Sequence, residues 1–296
     1  MGDDWPIDHA TLEPFYAEND RMMGIAGLAG DPAYPAHTPP LPLGKTGARF
    51  ARALNRLGWH RWPSDSAVAT TDYDGRAPCI NLGRCTWGCA QGAKGSADVT
   101  YWPHAIRAGV ELQTNCRVRE ITTGEDGMAT GVVYYDPRGV AQFQPAEVVI
   151  AACSGVGTPR LLLHSASGRF PDGLANSSGL AGKNLMFHPW ANVTGYADER
   201  LDAHRGSPLC RWSQEFYETD RARGFVRGFI LSVNRSIGVD VEAVMAEANG
   251  LVPWGEGHHD VFCGLVGHRM NLASVGLGLS TEARGIATIE RSRSGR

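Results

Sequence analysis

The chain has 296 residues, with 28 Lys and Arg against 31 Asp and Glu, for a formal net charge of −3. That balance gives no electrostatic case for nucleic acid or an anionic membrane surface. Seven cysteines, an odd number at low density, argue against a disulfide-built secreted scaffold, and no run of about 20 apolar residues exists to span a bilayer. The length and a hydrophobic content of 43% fit one large globular domain or two small ones.

The opening "MGDDWPIDHATLEPFY" is acidic and lacks an apolar h-region, so it does not read as a signal peptide, and Pro6 stands where a myristoylation signal wants Ser or Thr. The chain reads as soluble, with cytoplasm and periplasm both open. Residues 9–24 place Leu12, Phe15, Tyr16, Met22 and Met23 at helical spacing before Gly24, which predicts an amphipathic helix with a glycine cap. The proline-rich stretch 30–44 must be extended or turning. In 46–59, Phe50, Leu54 and Leu57 share one helical face and Gly58 ends it.

A loop at 72–96 holds "CTWGCAQGAKGS" and leads into a short helix over 96–109. Four strands are then predicted at 110–115, 117–123, 129–136 and 147–153. The turns "GEDG" and "DPRG" separate the later ones, as in a β-meander. The last, "EVVIAAC", is almost continuously apolar, as in a parallel strand buried on both faces. It leaves through Gly155 and Gly157 into a helix over 154–167. Strand, glycine turn and helix form the geometry that brings backbone N–H groups to a phosphate or flavin, although an ordinary buried strand and core helix would read the same way. Beyond 170 come a glycine-rich turn region and weak signals to about 270, with the clearest strand at 225–233.

Cys79, Cys85 and Cys89 are spaced by six and four. Structural zinc usually shows paired C-x₂-C or C-x₄-C with a second ligand pair downstream, whereas the nearest downstream pair here is the adjacent His258 and His259. A redox disulfide prefers C-x₂-C, and an iron–sulfur cluster needs three or four thiolates. Small side chains packed in a tight loop are the plainer reading. His188, in "LMFHPW", reads as a packed core residue, and "GEGHHD" as an exposed loop. No Ser–His–Asp set and no paired carboxylates can be assembled, and G-x-G-x-x-G does not occur.

Taken together, several long stretches resemble the glucose–methanol–choline (GMC) flavoprotein oxidoreductases, nearest to the bacterial sugar, gluconate and fructose dehydrogenase branch. They are "DWPIDHATLEPFY", "DYDGRAPCINLGRCTWGCAQGAKGSADVTYWPHA", "TNCRVREI", "ATGVVYYD", "AEVVIAACSGVGTPRLLLHSAS", "FPDGLANSSGLAGKNLMFHP" and "YETDRARGFVRGF", in this order from residue 3 to about 270. The resemblance implies a mixed α/β fold: part of a GMC-type FAD-binding domain with part of an antiparallel-sheet substrate domain. It divides the chain into a lid and Cys-loop segment (1–100), part of the FAD domain (101–168), part of the substrate domain (169–270) and an unrelated tail (271–296).

It also implies FAD and oxidation of the CH–OH group of a sugar or other alcohol. Flavin N5 then accepts hydride, and electrons pass on to an acceptor protein, a quinone or oxygen. By position, Val118 matches the residue facing the adenine end of FAD. Ala151, Ala152 and Cys153 end the strand beneath the cofactor, and Gly157, Thr158 and Pro159 match the turn that follows. In relatives that hold an iron–sulfur cluster in the cysteine stretch, a ligand follows directly after the first cysteine; here that position is Ile80, so no metal is expected. The expected role is a structural loop at the flavin edge, with Cys85 and Cys89 packed and Gly88, Gly92 and Gly95 allowing close backbone approach. The family's glycine-rich opening unit and its active-site histidine segment have no counterpart here. No catalytic residue is therefore assigned, and the chain is expected to be a truncated or split form. The alternative is an inactive fragment, or a subunit that pairs with a separate FAD-binding chain.

Overall fold

A computed structural model describes residues 6–28, 38–224, 228–235 and 238–276. The elements run α1 (His9–Met23), α2 (Gly44–Arg56), β1 (Trp62–Pro63), α3 (Tyr101–Arg107), β2 (Arg117–Thr123), β3 (Ala129–Tyr135) and β4 (Ala141–Pro145). They continue with α4 (Ser154–His164), β5 (Trp190–Tyr196), β6 (Leu209–Ser213), β7 (Phe229–Asn234), α5 (Val239–Ala248), α6 (His258–Val266) and β8 (Arg269–Gly276). The chain is a mixed α/β protein, as expected. Its described residues fall into two compact units: one from those up to Gly109 and from His188 onward, the other from Val110–Phe187.

The first unit is built on an antiparallel sheet ordered β1-β6-β7-β8-β5. The central strand β7 buries Leu231, Ser232 and Val233, and β8 buries Asn271 and Ala273. A polar ladder crosses three strands on this sheet. Ser232 Oγ donates to Asn234 Oδ1 (2.8 Å), Asn234 Nδ2 to Asn271 Oδ1 (3.0 Å) and Asn271 Nδ2 to Thr194 Oγ1 (3.0 Å). At the far edge, Glu215 accepts from the His60 backbone N–H (3.2 Å), lies 2.9 Å from His60 Nδ1 and accepts from Arg223 Nη2 (3.2 Å). Helices α5 and α6 enclose a small satellite core of Ala246, Val252 and Phe262.

Helix α1 starts as expected for its sequence. Asp8 Oδ1 accepts from the Thr11 N–H at 2.8 Å, and Gly24 closes the helix in the left-handed region at φ +66°. Its apolar residues are not a core face, since Phe15 and Tyr16 are exposed. On α2, Leu54 is buried, whereas Leu57 lies at the cap and is exposed. Arg76 fastens α1 to the cysteine loop. Its Nη2 donates to Met23 O at 2.8 Å and its Nη1 to Ala93 O at 3.5 Å, while Tyr73 donates to Arg21 O at 2.6 Å.

The second unit is a meander, β2-β3-β4, whose first two strands are those expected at 117–123 and 129–136, with α4 laid across β2. The strand β4, absent from the sequence reading, follows the "DPRG" turn, where Asp136 Oδ1 accepts from the Arg138 and Val140 N–H groups at 2.9 Å each. The buried Ser165 hydroxyl accepts from the Ile121 N–H (2.8 Å) and donates to Leu161 O (2.7 Å), pinning the end of α4 to β2.

Two expected strands do not form. Residues 110–115 and 147–153 have no strand beside them among the described residues, so their backbones lack a ladder. Val148 is 76% and Ile150 is 85% exposed, the reverse of the two-sided burial read from the sequence. Apolar composition alone does not make a strand; a neighbour must take its N–H and C=O groups. Two histidine expectations also change. His188 is exposed, with its Nδ1 3.1 Å from Gly276 O, and His258 and His259 open helix α6 instead of lying in a loop. The expected strand 225–233 is β7 from Phe229 on, and residues 225–227 lie outside the described residues. So do 30–37 of the proline-rich stretch and 277–296 of the tail.

Replacing Asn271 by Ala leaves Asn234 and Thr194 short of a partner, and urea unfolding is expected to show a loss of about 1–3 kcal/mol. The His60 and Arg223 bonds hold Glu215 down from 4.5 to about 2. Because its folded pKa is depressed, its contribution is complete above pH 4.5 and lost as pH falls toward 2. Glu215→Gln is therefore expected to flatten the decline of the urea midpoint across that window, and an unchanged acid profile would refute this role.

Candidate functional site

Residues 151–159 of the second unit form a turn that enters α4. The Cys153 N–H donates to Thr158 Oγ1 at 3.0 Å, and that hydroxyl in turn reaches Ala151 O at 3.4 Å. Ser154 adopts φ +65°, a left-handed conformation costly for a non-glycine residue, at the point where the chain reverses into the helix. An added Cβ at Gly157 would lie 3.0 Å from the Cys153 Cβ, so glycine keeps the turn tight. No side chain caps α4, which leaves the first-turn N–H groups facing outward. Ala152 and Cys153 are exposed, and Ala151, Gly157, Thr158 and Pro159 are half-buried. Val118 sits on β2 opposite Tyr134 and is exposed. The turn is thus one connected feature on α4, and Val118 belongs to the strand against which α4 packs.

In the first unit, Cys79, Cys85 and Cys89 together line a cavity of 680 Å³ with Trp87 and Gln91. The loop is held by Gln91, whose Oε1 accepts from the Ile80 N–H (3.1 Å) and whose Nε2 donates to Pro78 O, and by Lys94 Nζ, which donates to Cys85 O at 2.9 Å. All three thiols are free and half-buried. Among the described residues no group of three or more His, Cys, Asp or Glu is placed to hold a metal ion. Gly95 has the expected close approach, since a Cβ there would strike Met23 O. Gly88 and Gly92 do not. They have open space around them and are glycine for their positive φ, +136° and +76°.

The thiols differ electrostatically. Burial pushes Cys85 up, and the neighbouring Cys79 and Cys89 add to the rise. Burial also raises Cys89, but the N–H groups of Lys94, Gln91, Ala93 and Gly92 outweigh it and hold this thiol below its ordinary value. Other pairings went unread in the sequence. His104 Nε2 lies 3.1 Å from Asp74 Oδ2, with Arg107 Nη2 3.0 Å from the other ring nitrogen. Cys263 Sγ lies 3.6 Å from His259 Nε2 on α6. The second pair and the His104–Arg107 contact have the helical spacings i,i+4 and i,i+3 that could have announced them. Asp74, thirty residues from His104, had no such signal.

A family model described as GMC oxidoreductase matches residues 48–190. The matched span runs from α2 through the cysteine loop and the 151–159 turn. The chain belongs to this family, in its bacterial dehydrogenase-like branch. The chain is 42% identical over 289 residues to a 2-methyl-1,2-propanediol dehydrogenase of Mycolicibacterium austroafricanum, covering 94% of this chain and 52% of that one. It is 31% identical over 214 residues to the fructose dehydrogenase large subunit of Gluconobacter japonicus (70% and 39%). It is 27% identical over 223 residues to the gluconate 2-dehydrogenase flavoprotein of Pantoea cypripedii (66% and 36%). The chain thus spans about half, or less, of the length of these relatives. Its mixed α/β architecture is consistent with part of a GMC FAD-binding domain. Among the described residues no helix is long and apolar enough to cross a membrane.

A lowered thiol pKa means more thiolate at neutral pH. Iodoacetamide is therefore expected to alkylate Cys89 before Cys85, read by peptide mass spectrometry over a time course. Equal rates, or Cys85 first, would contradict the N–H cradle around Cys89.

Proposed function

We propose that this chain carries part of a flavoprotein oxidoreductase acting on the CH–OH group of a small alcohol or sugar, and that Val118, Ala151, Ala152, Cys153, Gly157, Thr158 and Pro159 contribute to its FAD site. The observation that carries the reading is the 42% identity over 94% of the chain to a protein named for a small diol. A short vicinal diol is accordingly the first substrate to try.

The 151–159 turn fits a flavin nucleotide. Its side chains at Ala151 and Ala152 are small, Gly157 adds none, and the uncapped start of α4 offers N–H donors to an anionic group. Thr158 fixes the turn from inside through Ala151 O and the Cys153 N–H, leaving the outer face to the ligand. When bound, FAD supplies the hydride acceptor, while the protein positions the donor carbon and takes up the hydroxyl proton. The electrons would leave to an acceptor protein or a quinone.

A second reading is a subunit that completes a separate FAD-binding chain and performs no chemistry itself. The unpaired segment 147–153, with Val148 and Ile150 in solvent, favours it, because such an apolar run is stabilised by a strand laid against it.

The purified 296-residue chain is expected to hold less than stoichiometric flavin by absorbance, because segment 147–153, before the turn, has no strand beside it among the described residues. The deciding experiment is to read the DNA on either side and co-express any adjoining frame that encodes a glycine-rich dinucleotide loop or an active-site histidine. The assembled protein is then assayed with 2-methyl-1,2-propanediol and with sugars, using an artificial electron-accepting dye. Turnover that Gly157→Val reduces, together with flavin content, supports the first reading. Bound FAD without oxidation of any alcohol supports the second.

A further inference from the structure

A second cavity, 630 Å³ in volume, opens within the first unit at the start of α2. Lys45, Thr46, Asn81, His204, Arg205 and Arg235 are among the residues that line it. Nothing in the proposed flavin chemistry uses it.

Several of its polar groups are buried and left without partners, although Lys45 Nζ donates to Arg200 O at 2.9 Å. Helix α2 is 13 residues long, its N-cap is Leu43, and no side chain caps it. The N–H groups of Gly44, Lys45 and Thr46 therefore point out of the helix with no internal acceptor. Thr46 is 1% exposed, and its hydroxyl has no hydrogen-bond partner. Arg235 is 5% exposed, and its Nε also has none. Its Nη1 and Nη2 donate to Arg205 O (3.4 Å) and Pro42 O, both neutral carbonyls. Among the described residues no carboxylate pairs with this guanidinium. The His204 Nδ1 is likewise buried and unpartnered.

The charge is one-sided. Lys45, Arg205 and Arg235 face a single lining carboxylate, Asp202, which is already held by Arg200 Nε at 2.7 Å. The guanidinium also has a prepared seat between Gly44 and Gly206, at φ +61° and +93°. A Cβ at Gly206 would collide with Nη1, whereas one at Gly44 would lie in ordinary contact, 3.4 Å from Nη2. A buried cation without a counter-charge and a buried hydroxyl without a partner are both costly, and both are relieved by one bound anion.

We propose that this cavity binds a small oxyanion, the phosphate or carboxylate group of a metabolite. The first-turn N–H groups of α2 and the Thr46 hydroxyl donate to it. Arg235 Nε completes the set, with Lys45 and Arg205 supplying charge at the mouth.

The test uses the 296-residue chain in chloride buffer at fixed ionic strength, titrated with inorganic phosphate and, separately, with acetate. Calorimetry and thermal unfolding are the readouts. Saturable binding that raises the melting temperature is expected; phosphate ahead of acetate assigns a phosphate group, and the reverse a carboxylate. Thr46→Val and Lys45→Met are each expected to weaken binding by about fivefold or more. In chloride alone Thr46→Val should not lower the melting temperature, since its hydroxyl has no protein partner to lose. These two variants spare the structural bonds of Arg235, so the test does not depend on whether Arg235→Met folds. No saturable binding of either anion into the tens of millimolar, or unchanged binding in both variants, would overturn the proposal.

Discussion

An extended backbone keeps its shape only if another strand takes up its N–H and C=O groups, and this requirement divides the molecule. Where partners exist, in the sheet around β7 and in the meander, strands form, and small polar residues such as Ser232 can be buried outright. Where they do not, among the described residues, 110–115 and the strongly apolar 147–153 stay irregular and largely exposed. Between 110 and 187 burial reaches only Ile121, Gly131, Leu161, Ser165 and Gly173. Hydrogen bonds therefore do much of the fixing in this unit: the Asp136 turn, and the Ser165 bonds that anchor α4 to β2. The candidate flavin turn sits directly on that anchored helix, so its geometry holds even though the segment before it forms no strand.

In the first unit, buried arginines do comparable work on loops. Arg76 draws the end of α1 and the cysteine loop together through main-chain carbonyls, and Arg235 does the same for the start of α2 and the 205 turn. Planar, multi-donor guanidinium groups suit this task because one side chain can satisfy carbonyls from two segments at once. The glycines beside them, Gly24 and Gly206, are where the backbone must come close enough for the head group to reach. Both keep a buried Nε without a partner; the difference is that Arg76 rests on the Tyr73 ring, 5.7 Å from its centroid, while Arg235 lines the cavity at α2.

Much of this was legible in the sequence where the signal is local. Helical spacing with a capping glycine located α1 and α2, and the glycine turns located β2 and β3, while the third strand of the meander forms at 141–145 and not at the expected 147–153. The family was legible too, because long ordered stretches carry far more information than any single motif. Non-local features escaped. The strand pattern of 147–153 states what the segment is suited to, not whether a neighbour is there. His188 looked like a core residue by its apolar company, but Met186, Phe187 and Trp190 around it are themselves exposed. The cavity at α2 joins residues from near 45, 81, 204 and 235, a separation no spacing rule reaches.

The discontinuity of the first unit has a kinetic corollary. Trp62 pairs with Trp212, so β1 can join the sheet only after a 150-residue excursion has been made. Closing so large a loop adds little equilibrium cost, which grows only logarithmically with length, but it delays the event. Strands β5 to β8 lie within one continuous stretch of chain and can zip together first, with the Asn234–Asn271–Thr194 ladder rejecting any register displaced by one residue. On this topology the amino-terminal third docks last, onto an already assembled sheet.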